Sequence, residues 1–120
     1  MTTLTNAEEK LAELIWQSSP LPSPVLVDLA FEKLGWKKST TYTVLRKLCN
    51  KGIVRNDKTL VEALLTKEEL AIKQSRTYVE NSFGGSLPRF LTAFIGGGGL
   101  SAKEADELRE LIDQHEGMRK

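Results

Sequence analysis

The sequence is poor in the side chains that metal sites and covalent catalysis use. Its 120 residues include one cysteine, Cys49, and one histidine, His115. That pair cannot form a disulfide framework or a Cys/His zinc site within one chain. There is also no cluster of carboxylates beside a glycine-rich phosphate loop, so no catalytic constellation is present. We therefore expect a protein that is not an enzyme and that holds neither a metal nor a cofactor.

Long apolar runs are also missing. No stretch approaches the roughly 20 residues that span a bilayer. The N-terminus, MTTLTNAEEK, lacks the basic-then-apolar layout of a secretory signal. These absences predict a cytoplasmic protein with no direct membrane insertion. The length allows one compact domain, or one small domain with an appendage.

The net charge is only +1, but the charges are distributed unevenly along the chain. Residues 37–58 hold seven lysine and arginine side chains against Asp57 alone, which gives this block a charge of +6. The sections before and after it carry −3 and −2. A block of like charge is either a solvated surface or the footprint of a polyanion, and its concentration in 22 residues points to the second.

Two helices are predicted in the first 35 residues. Thr5 and Glu8 have the spacing of a capping box, which begins the first helix. Ser23, followed by Pro24, begins the second helix. Gly35 ends it, because glycine adopts positive φ easily. Apolar residues recur at helical spacing in both segments, so each helix has one inner face.

The third predicted helix, residues 39–50, has two faces of opposite character. Its inner arc covers about 100° at 3.6 residues per turn and consists of Thr41, Val44, Leu45 and Leu48. Its outward arc has no acidic residue and consists of Ser39, Thr40, Thr43, Arg46, Lys47 and Asn50. Short β-like runs at 53–55 and 59–64 follow, and Asn56-Asp57-Lys58 predicts a tight turn between them. Three helices followed by a hairpin is the order of a winged helix-turn-helix.

The rest of the chain is predicted to be helical, which makes the fold mainly α. Apolar stripes between residues 67 and 116 have no partner layer large enough to bury them. Either these helices fold back on the N-terminal domain, or two chains share a core as a homodimer, and the burial argument favours the homodimer. We expect a winged-helix domain at 1–66 and a helical dimerisation domain at 67–120.

Three stretches of the sequence share a pattern with a known family. They are LTNAEEKLAELIW, WKKSTTYTVLRKLCNKGIV, and PRFLTAF followed by LSAKEADELRELI. The chain resembles the BlaI/MecI-type penicillinase repressors of bacterial β-lactam resistance operons, over nearly its whole length. The resemblance implies a winged-helix transcriptional repressor that binds palindromic operator DNA as a homodimer, with a recognition helix at 39–50. A β-lactam-resistance-type operon is the implied target.

The resemblance also implies roles for the basic block. Thr40, Thr43 and Lys47 match the family's operator-recognition positions, and we expect them to contact bases. Ser39, at the predicted helix start, is expected to contact a phosphate. Tyr42 either contacts a phosphate or packs on the flank of the helix. Sequence-independent phosphate contact is assigned to Arg46, Lys51, Arg55 and Lys58. Lys37 and Lys38 are assigned to the DNA-binding surface in the turn before the helix.

The C-terminal half carries the residues expected in a dimer interface. They are Tyr78, Phe90, Leu91, Phe94, Leu108, Leu111 and Ile112. The family's inactivating cleavage falls between asparagine and phenylalanine, and the matching place here is Ala93-Phe94. The resemblance thus suggests a membrane sensor-protease as a partner, with a repressor that answers a different signal as one alternative. The other is a winged-helix module that docks an acidic protein and binds no operator.

Overall fold

The computed structural model describes residues 3–116, which form six α-helices and a three-stranded antiparallel sheet. The helices are α1 (Asn6–Ser18), α2 (Ser23–Leu34), α3 (Lys38–Asn50), α4 (Lys67–Phe83), α5 (Leu87–Gly96) and α6 (Ala102–His115). The strands are β1 (Leu21–Pro22), β2 (Val54–Asp57) and β3 (Leu60–Ala63), in the order β1-β3-β2. This architecture confirms the predicted winged helix-turn-helix followed by helices. Within the described range, no helix is long and apolar enough to cross a membrane.

The first two helices have the ends that the sequence predicts. The Thr5 hydroxyl accepts the Glu8 N–H at 3.2 Å, and a Glu8 carboxylate oxygen accepts the Thr5 N–H at 2.8 Å. Two backbone donors at the start of α1 are thereby satisfied. α2 begins at Ser23 and ends against Gly35, whose φ of 71° lies in the left-handed region. Local capping signals were therefore sufficient to locate both elements.

The core of the N-terminal part lies between α1, α2, α3 and the sheet. Its fully buried apolar side chains include Leu11, Ile15, Leu26, Leu45, Leu48, Ile53, Val54 and Val61. All four members of the predicted inner arc of α3 are buried. Since that arc faces the core, the opposite arc of α3 faces away from the protein.

The hairpin differs from the prediction in the position of its turn. Asn56 and Asp57 belong to β2 and pair with β3, so the turn consists of Lys58 and Thr59. These two residues have φ values of 50° and 68°. Left-handed backbone at both central positions suits a two-residue hairpin, because its twist matches that of the strands. Asn and Asp favour turns in general, and here the ladder with β3 keeps them extended.

Strand β1 was not predicted. Leu21 and Pro22 pair with Val61 and Leu60 of β3, and the Ser23 N–H donates to the Thr59 carbonyl at 2.7 Å. A two-residue strand is too short to show the alternation by which strands are recognised in a sequence. The pairing attaches the start of α2 to the hairpin, which is the wing of the fold.

The chain divides into two compact units between Tyr78 and Val79, inside α4. The boundary predicted at residues 66 and 67 coincides with the start of that helix. The first turns of α4 belong to the N-terminal unit because Leu70 is buried in its core. Lys67 also pairs with Glu13 of α1 at 3.2 Å. The N-terminal unit thus extends about three helical turns beyond the predicted boundary.

Candidate nucleic-acid interface

Helix α3 presents an exposed polar face with no acidic residue. Its exposed members are Ser39, Thr40, Thr43, Arg46, Lys47 and Asn50. The helix begins at Lys38, one residue earlier than predicted, and Lys37 is its N-cap. The first helical hydrogen bond runs from the Thr41 N–H to the Lys37 carbonyl at 3.1 Å. The N–H groups that precede it point out of the helix end, where they can bind an anion.

Five of the predicted DNA-contacting cations are exposed and make no ion pair among residues 3–116. They are Lys37, Lys38, Arg46, Lys47 and Lys58. Lys37 and Lys38 precede or begin α3, Arg46 and Lys47 lie on its outward face, and Lys58 is in the turn of the wing. Unpaired cations concentrated on one helix and one hairpin create a positive potential there.

Lys51, in contrast, is engaged with α1. Its ammonium nitrogen lies 2.5 Å from a Glu8 carboxylate oxygen and 2.8 Å from the Thr3 carbonyl oxygen. Only 2% of Glu8 is exposed. This contact ties the C-terminal end of α3 to the capping box that begins α1. It gives Lys51 a structural role, which differs from the phosphate contact that we expected.

The pair changes the acidity of the carboxyl group. Burial raises the pKa of Glu8, but the hydrogen bond from Lys51, the Thr5 backbone N–H and the Lys51 charge outweigh burial. The pKa of Glu8 is therefore below its ordinary value. Folding thus favours the charged form, and the stability this contributes is present above the ordinary glutamate pKa of about 4.3. It is lost as the pH falls through the lower pKa of the folded state.

Two further predicted contacts have partners within the fold. Arg55 forms an ion pair with Glu62, its direct cross-strand neighbour on the wing. The Tyr42 hydroxyl donates to the buried Ser23 hydroxyl at 3.2 Å, and the ring packs against the core. Of the two alternatives for Tyr42, the structure favours packing between α3 and α2. No pattern in the sequence indicated either partner.

The hydroxyl groups of α3's three threonines are in three different situations. Thr41 is buried and donates to the Lys37 carbonyl at 3.3 Å. Thr43 is exposed and donates to the Ser39 carbonyl at 2.9 Å. Thr40 is exposed, and its hydroxyl makes no hydrogen bond within the described part of the chain. Only Thr40 therefore keeps its hydroxyl donor unused.

The second unit has a different kind of surface. None of its described residues, from Val79 to Glu116, is buried. Phe90 lies between Phe83 and Phe94, with ring centroids 5.5 and 6.1 Å apart. Five predicted dimerisation residues line an open apolar groove of about 420 Å³: Phe90, Leu91, Phe94, Leu108 and Leu111. A group of helices that leaves its apolar faces open to water lacks a core of its own.

Two predicted dimerisation residues lie outside this groove. Ile112 is on α6 and is 61% exposed. Tyr78 is exposed at the end of the N-terminal unit. Ala93 and Phe94 are exposed residues within α5, so the bond between them is part of a helix.

Comparison with known proteins identifies the family. Residues 4–114 match the family model described as penicillinase repressor. The chain belongs to the penicillinase repressor family. Its relatives include the penicillinase repressor of Bacillus licheniformis, 20% identical over 121 residues, with 98% of this chain and 94% of the relative covered. The methicillin resistance regulatory protein MecI of Staphylococcus aureus is 19% identical over 115 residues, with 92% and 94% covered.

Membership of the penicillinase repressor family settles the class of protein. The chain is a transcriptional repressor and not an enzyme, as the sequence predicted. The match also confirms the resemblance drawn from the three sequence stretches. The roles of individual residues depend on the geometry described above.

The Lys51–Glu8 contact leads to a prediction about stability. The Lys51→Met variant should lower the free energy of unfolding by about 3 kcal/mol at pH 7, because it leaves the Glu8 carboxylate buried without its partner. Adding Glu8→Gln should recover part of the loss. Urea unfolding monitored by tryptophan fluorescence measures both changes. Repeated below about pH 4.3, it should show a smaller difference between wild type and Lys51→Met. The unpaired Glu8 of the variant is then protonated, and the stability that the pair gives the wild type is lost as the pH falls through the lower pKa of Glu8.

Lys47→Met is the matched control for this experiment. Lys47 is exposed on the same helix and makes no ion pair among the described residues. Its replacement should change the free energy of unfolding by less than about 0.5 kcal/mol. Equal losses in the two lysine variants would contradict the structural role of Lys51.

Proposed function

We propose that this chain is a dimeric repressor that binds palindromic operator DNA by placing α3 in the major groove. The observation that carries the proposal is the outward face of α3, which is exposed, contains no acidic residue and is flanked by unpaired cations. A major groove about 12 Å wide admits one α-helix. The names of the relatives, which are repressors and regulatory proteins of antibiotic resistance, agree with this activity.

We assign base contact and phosphate contact to different residues of this face. Thr40, Thr43 and Lys47 fall within about 60° of arc at 3.6 residues per turn, so one strip of α3 brings all three to the base edges. Phosphate contact is assigned to the flanking groups Lys37, Lys38, Ser39, Arg46 and Lys58. Lys51 and Tyr42 hold α3 in place instead. Arg55 contributes less charge to the interface, because Glu62 already balances it.

The dimer is proposed from the second unit. Its groove residues and the 62% exposed Phe94 leave apolar surface in water, at a cost of about 25 cal/mol per Å². A second copy presents the same groove and covers that surface on both chains. Twofold symmetry then places two α3 helices on half-sites one DNA turn apart, about 34 Å.

The names of the relatives support the proposed target, and the resemblance of the Ala93-Phe94 segment supports the proposed signal. A β-lactam-resistance-type operon is the proposed target, since the relatives are named for penicillinase and methicillin resistance. The proposed place of action is the cytoplasm, where a bacterial operator is accessible. A membrane sensor-protease that cleaves between Ala93 and Phe94 is the proposed inducing partner.

DNA binding can be tested on the promoter fragment of the chain's own gene. Affinity should fall steeply with salt, because phosphate contacts release counterions. Lys47→Ala should weaken operator binding by about 1–3 kcal/mol and binding to random DNA by less. Lys103→Ala removes the same charge from an exposed position of α6 and is the control. An affinity independent of salt, or equal effects of the two variants, would contradict the proposal.

Dimerisation can be tested with two phenylalanines of similar exposure. Phe94→Glu should give a monomer in analytical ultracentrifugation and lower operator affinity by about 100-fold or more, because the second half-site is no longer bound by a linked partner. Phe31→Glu changes a 69% exposed phenylalanine of α2 and should remain dimeric. A dimeric Phe94→Glu variant with wild-type affinity would exclude the proposed interface.

The cleavage proposal has a direct readout. Mass spectrometry of the chain from antibiotic-challenged cells should show one fragment that ends at Ala93 and one that begins at Phe94. An intact chain in cells whose operon is induced would show that a different signal releases the repressor.

A further inference from the structure

The three threonines of α3 differ because of where the helix begins. A threonine in a helix can donate its hydroxyl to the carbonyl four residues earlier. For Thr43 that carbonyl belongs to Ser39, and for Thr41 it belongs to Lys37, the N-cap. For Thr40 it would belong to Trp36, which precedes the N-cap and lies outside the helix. The carbonyl three residues before Thr40 belongs to Lys37, and it already accepts the Thr41 N–H at 3.1 Å and the Thr41 hydroxyl at 3.3 Å. Among the described residues, Thr40 therefore keeps a hydroxyl that donates to no carbonyl of its own helix.

This difference determines which groups, a hydroxyl donor or only a methyl, each side chain can present to DNA. The Thr43 hydroxyl proton lies in a 2.9 Å hydrogen bond to the Ser39 carbonyl, which must break before Thr43 can donate to a base. The γ-methyl group of Thr43 is exposed and can contact a base without breaking this hydrogen bond. Thr40 also has a methyl group, but its hydroxyl can donate as well as accept.

The major groove offers a contact partner both for a methyl group and for a hydroxyl donor. Among the edges of the four bases, the C5-methyl of thymine is the apolar group, and the other features are hydrogen-bond donors and acceptors. Contact between two methyl groups removes apolar surface from water without an unsatisfied donor. A side chain whose hydroxyl proton is already committed is suited to thymine, whereas one with an unused donor is suited to an acceptor such as guanine O6 or N7.

We infer that Thr43 specifies a thymine in each half-site through its γ-methyl group, and that Thr40 specifies its base through its hydroxyl. This assignment rests on the proposed operator binding and adds the chemistry of two positions to it. It predicts that the two threonines respond oppositely to the same pair of substitutions.

The experiment first needs the operator. Wild-type chain selects bound sequences from a random duplex library, and the enriched duplex is then synthesised with each thymine of one half-site replaced in turn by deoxyuridine. Deoxyuridine keeps every hydrogen-bonding group of thymine and lacks only the C5-methyl. Affinities are measured for wild type, Thr43→Val, Thr43→Ser, Thr40→Val and Thr40→Ser. Thermal melting checks that these surface variants stay folded.

The expected result is one deoxyuridine position that weakens wild-type binding by about fourfold, the loss that corresponds to one buried methyl group. Thr43→Val should show the same sensitivity at that position, and Thr43→Ser should show none. At Thr40 the order reverses: serine should keep operator affinity and valine should lower it.

Two outcomes overturn the assignment, and they are distinguishable. If the library yields an operator but Thr43→Ser stays sensitive to deoxyuridine, or Thr43→Val loses affinity for the operator, then Thr43 does not act through its methyl group. If no sequence is enriched at all, the proposed operator binding itself fails and the assignment fails with it.

Discussion

The burial of the inner arc of α3 against α1 and α2 determines which residues of that helix can meet DNA. Thr41, Val44, Leu45 and Leu48 are buried, so the other arc faces away from the protein. Two polar contacts fix the helix further: Tyr42 to Ser23 of α2, and Lys51 to Glu8 of α1. A helix held in this way can present an entirely polar outward face, because its stability does not depend on that face.

The second constraint is the missing core of the C-terminal unit. Among the residues described from Val79 onward, apolar side chains line a groove but none is buried. In the proposed dimer, a symmetric partner covers the groove and also supplies a second α3. The two copies double the charge of the basic block, while the acidic sections on either side limit attraction to DNA elsewhere on the surface. In this proposal, one dimer both recognises a palindrome and buries the C-terminal helices.

Sequence reasoning succeeded where the physical cause was local. The Thr5–Glu8 capping box, Gly35 and the periodicity of α3 act within a few residues, and the structure has all of them as predicted. All the predicted dimerisation and DNA-contact residues are exposed or half-buried. Their contacts stay predictions, because a single chain contains neither partner.

The features that the sequence did not indicate have a common origin in contacts between distant residues. Lys51 and Glu8 are 43 positions apart, and Tyr42 and Ser23 are 19 apart, so neither pairing has a periodic signal. In the sequence alone, Lys51 belongs to the same basic block as the exposed lysines. The position of the wing turn depends likewise on the ladder with β3, which prevailed over the turn preference of Asn56 and Asp57.

The central claim is that two chains bind one operator together, each with one α3 helix. Hydroxyl-radical footprinting of the selected operator over a range of protein concentrations tests it most directly. The account predicts two protected blocks about 10 base pairs apart, related by a twofold axis, which appear together at the same concentration. A single protected block, or a second block that appears only at a much higher concentration, would contradict it.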